Sequence, residues 1–163
     1  MKLRDDQIKQ VCSLVVSFAQ LSRNYLGEVP PTLILINARP GGELGDLSTG
    51  PLTYGTKDQW AHLQQRFARS PDIAAAVLIL ECWGCDLKPG EQQPETVSER
   101  QDRYEMVMVN IMSATDQWLM LAPITAAGLI EEAPAQRVGS DGPRTFKGRF
   151  IREPGAPVGT TLQ

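Results

Sequence analysis

Residues 73–83, Ile-Ala-Ala-Ala-Val-Leu-Ile-Leu-Glu-Cys-Trp, restrict the fold of this chain more than any other stretch. The run is almost wholly apolar, with its one charge near the end. Successive side chains of a strand point to opposite faces, so a run without alternation suits a strand covered on both sides. A central strand between two layers is therefore expected.

The remaining segments supply those layers. Over residues 5–24, Ile8, Val11, Cys12, Val15 and Phe18 recur at helical spacing, and Gly27 with Pro30 and Pro31 then stops the helix. Cys12 lies on the apolar stripe as a small buried side chain. Residues 32–37, Thr-Leu-Ile-Leu-Ile-Asn, read as a second covered strand. The glycine-rich stretch 38–55 reads as a loop or hairpin, with a short strand expected at Leu52, Thr53 and Tyr54. Thr56 with Gln59 has the form of a capping box opening a helix over 57–69, whose inner stripe is expected to be Trp60, Leu63, Phe67 and Ala68.

After a polar connection, residues 104–113 alternate. Tyr104, Met106, Met108 and Met112 take one face, and Glu105, Val107, Val109 and Ile111 the other. Both sets are largely apolar, and Met120 joins the methionines as core filler. A tight turn at 114–117 returns the chain as an antiparallel strand, 118–122, closed by Pro123. Residues 144–153 read as a last strand with a basic face formed by Lys147 and Arg149. The expected fold is a single layered α/β or α+β domain over residues 1–153. Its mostly antiparallel sheet of about five strands is covered by the two helices. The tail 154–163 has the composition of an extended, flexible segment, and a partner chain or homo-oligomer is expected to hold it.

Composition narrows the functional classes. Among 163 residues, 42% are hydrophobic and 21% charged, enough for a real core, and the net charge is −3. That balance lacks the positive field of general nucleic-acid binding, so nucleic acid is an unexpected partner and Lys147 and Arg149 are its weak candidates. No apolar stretch reaches the roughly 20 residues of a membrane-spanning helix, and the first residues do not form a secretory signal. A cytoplasmic location follows, or a virion if the chain is a phage structural protein. The three cysteines do not suggest a disulfide framework.

Catalytic motifs are sparse. The one histidine, His62, sits on a helix as a surface residue, and neither a phosphate-binding loop nor a nucleophile elbow is present. Cys82-Trp-Gly-Cys85 supplies half the ligands of a structural zinc site and lacks the helix start that activates a redox thiol. No metal and no cofactor is expected from these motifs. The strongest chemical candidates are Glu81 and Glu105, which neighbouring strands would bring together; paired carboxylates can do acid/base work or gather a divalent cation. Arg103, two residues before Glu105, would neutralise them instead.

The series Glu81-x-Trp83, Ser98, Arg103-x-Glu105 and Phe150-Ile151-Arg152 resembles a diffuse group of small proteins from bacteria and their phages or prophages. In that group a strand ends in Glu-Ala-Trp-Met, a Pro-Ser loop leads to Arg-x-Glu, and an Arg-bearing strand comes late. Cys82, Gly84 and Val97 depart from the pattern, which covers mainly residues 73–113. The resemblance implies that Glu81, Trp83, Arg103, Glu105 and Arg152 form one structural or interaction patch, and it carries no activity. The expected function is non-enzymatic association with other proteins, as in a phage or prophage virion or assembly component. The alternatives are a divalent-metal phosphodiesterase or nuclease using Glu81 and Glu105, and a nucleic-acid-binding regulator.

Overall fold

The computed structural model describes residues 1–85 and 101–139. Helix α1 spans Asp5–Leu26, strand β1 Thr32–Arg39, strand β2 Glu43–Pro51 and helix α2 Lys57–Ala68. Strands β3 (Ile73–Gly84), β4 (Tyr104–Met112), β5 (Gln117–Pro123) and the short β6 (Gln136–Arg137) follow. All six pair antiparallel in one sheet of order β2-β1-β3-β4-β5-β6. Among the described residues the fold is α+β, two helices on a six-stranded antiparallel sheet. The apolar run 73–83 lies at its centre as β3, whose first eight residues are all buried.

Alternation along the strands assigns the helices to opposite faces. Ile34, Ile36, Val77, Ile79, Val107, Val109, Ile111 and Met120 meet Ile8, Val11, Cys12, Val15 and Ala19 of α1. The intervening residues Leu78 and Leu80 pack on Ala61 of α2, and Ala76 and Met112 on its Ala68. Burial of both sets removes apolar area worth about 25 cal/mol per Å2 from water on each side of β3.

Local chemistry sets the helix ends. Asp5 and Asp6 occupy the first turn of α1, where negative charge is favoured, and Gly27 ends it at φ 80°, donating its N–H to the Arg23 carbonyl at 2.8 Å. Gln7 accepts from the Arg4 N–H at 3.0 Å and donates to the Gly42 carbonyl at 2.9 Å, which fixes the start of α1 at the β1–β2 turn. In α2 the expected capping box forms, with Thr56 Oγ1 accepting from the Gln59 N–H and Gln59 Oε1 from the Thr56 N–H.

Two expectations change. The strand inside the glycine-rich stretch is β2, Glu43–Pro51, and residues 52–54 lie beyond it. Few of its side chains favour a strand; the exposed edge of β1 templates it through backbone pairing. Pairing steps from Ile36↔Leu47 to Ala38↔Leu44, so β2 carries a bulge, and a Cβ at Gly45 would lie 2.9 Å from the Asn37 carbonyl oxygen. The inner stripe of α2 is also rotated: Ala61, Gln64 and Ala68 are buried, whereas Trp60 and Phe67 are half-buried and Leu63 is exposed. The strand expected over residues 144–153, with Lys147, Arg149 and Arg152, lies outside the described residues, as do Ser98 and the tail 154–163.

Candidate functional site

The β3–β4 register assembles the site. Glu81 pairs with Val107 and Trp83 with Glu105, so Glu81, Trp83 and Glu105 stand on the α1 face, with the two glutamates diagonal neighbours. Arg103 lies just before β4. Its guanidinium lies over the Trp83 ring, 4.4 Å from the centroid, a cation–π contact.

Arg23, from the last turn of α1, takes the central place between the carboxylates. Its Nη1 pairs with Glu81 Oε1, and its Nη2 with Glu105 Oε2 at 3.2 Å. Glu81 Oε1 also accepts the Val29 N–H at 3.0 Å, so one carboxylate ties both α1 and the segment after it to β3. The Arg23 side chain is 19% exposed, and its partners are more open, at 27% for Glu81 and 45% for Glu105. The guanidinium in this shielded position bonds both carboxylates and offsets half of the negative charge that would draw a divalent cation. Among the described residues, no group of three or more His, Cys, Asp or Glu side chains is placed to hold a metal ion.

A sequence clue to Arg23 exists in the buried stripe. Ile8, Cys12, Val15 and Ala19 continue at helical spacing to Arg23, and a charged residue at the end of a core stripe requires a counter-charge on the sheet it covers. A second polar cluster was not anticipated. Under α2, Gln64 Nε2 donates to the Ala76 carbonyl at 2.9 Å and the Asn110 carbonyl at 2.8 Å; Asn110 Nδ2 donates to Gln64 Oε1 at 3.1 Å, and Gln117 Nε2 to Asn110 Oδ1 at 2.8 Å. All three side chains are buried, and the network joins helix to sheet. At the next turn the buried Asp116 carboxylate pairs with Arg137 of β6 and accepts the Thr115 hydroxyl at 2.7 Å.

The cysteines have a different setting. Cys12, Cys82 and Cys85 are free thiols. Burial first, and then Glu132 nearby, pushes the Cys12 thiol up to about 11; burial likewise raises Cys82 to about 11. A thiol in this range holds almost no thiolate at neutral pH and is a poor nucleophile. His62 is exposed on α2.

Compared with known protein families, characterised proteins and solved structures, the chain matches none. Among the described residues, no helix is long and apolar enough to cross a membrane.

Proposed function

We propose that this chain is a non-catalytic subunit that acts by association with other proteins, in the bacterial and prophage setting suggested by the Glu-x-Trp and Arg-x-Glu resemblance. The observation that carries this reading is the outer flank of α1, where Leu14, Leu21 and Tyr25 are left in solvent while Arg23 of the same helix is turned inward to Glu81 and Glu105. Large apolar and aromatic side chains gathered on one surface are the usual material of a protein interface. The carboxylate pair supports the same reading: with Arg23 between them, Glu81 and Glu105 fasten α1 to the sheet and thereby orient the flank.

Site-specific photo-crosslinking in cells tests it. A photoreactive residue at Leu21 is expected to give a discrete covalent adduct that Tyr25→Glu abolishes, while the same residue at exposed His62 gives none. No adduct from Leu21, or equal labelling from both positions, would contradict association through this flank.

A further inference from the structure

We draw no further inference here: the strongest candidate, the outer edge of the sheet along β2 with Leu47 left in solvent, carries none, because nothing in the structure shows what covers it.

Discussion

Arg23 and Glu105 are separated by 82 residues of chain, yet Arg23 Nη2 lies 3.2 Å from Glu105 Oε2, and the same guanidinium holds Glu81. One helical side chain thus fixes the C-terminal end of α1 to two central strands. The outer flank of α1 takes its orientation from this clamp.

Removing the guanidinium is expected to cost stability. Arg23→Ala leaves two neighbouring carboxylates without their common cation and lowers stability by about 1–2 kcal/mol; water at Glu105 keeps this below the cost of a fully buried pair. Glu81→Gln keeps an acceptor for the Val29 N–H and costs less. Urea unfolding of the three proteins, compared at constant slope, checks the order.

Gln64→Leu is expected to be the more damaging change, because it withdraws the donors that reach the Ala76 and Asn110 carbonyls and the acceptor for Asn110 Nδ2 beneath α2. Leaving buried polar groups without partners costs about 1–3 kcal/mol each. Gln65→Ala, one residue further along the helix, is expected to stay within about 0.5 kcal/mol of the parent. Equal midpoints for the two variants would show that the network contributes nothing.

Stability at alkaline pH follows from the buried thiols. Cys12 and Cys82 ionise near 9 when exposed and near 11 in the folded chain. Between those values the unfolded chain has lost protons that the folded chain retains, so the folded state binds more protons and stability falls as pH rises. The loss is absent below about pH 9 and complete above about pH 11. Cys12→Ala with Cys82→Ala is expected to flatten this part of the pH profile relative to the parent; parallel profiles would contradict it.

Strong periodicity made much of this fold legible. The unbroken apolar run of β3, the alternation of β4 and the stripe of α1 each state their environment in consecutive residues, whereas the common face of Glu81 and Glu105 also needs the β3–β4 register. Features created by docking were not legible. The core stripe of α1 ends at Arg23 and so asks for a counter-charge on the sheet, but which carboxylates meet it is set by the crossing of α1 over the sheet, which no local pattern specifies. Gln64 displaced Leu63 from the interior because Asn110 and Gln117 await it on the opposing face. β2 has a weak strand sequence, and the free edge of β1 recruits it.

Hydroxyl-radical footprinting of the chain at its working concentration is the most direct test of association through the α1 flank. Tyr25 and Tyr54 are nearly equal in a single chain, 85% and 91% exposed, so each serves as the other's reference. Association through α1 predicts oxidation of Tyr25 several-fold below that of Tyr54, with the difference erased in Leu21→Glu. Equal oxidation of the two tyrosines in the parent chain would contradict it.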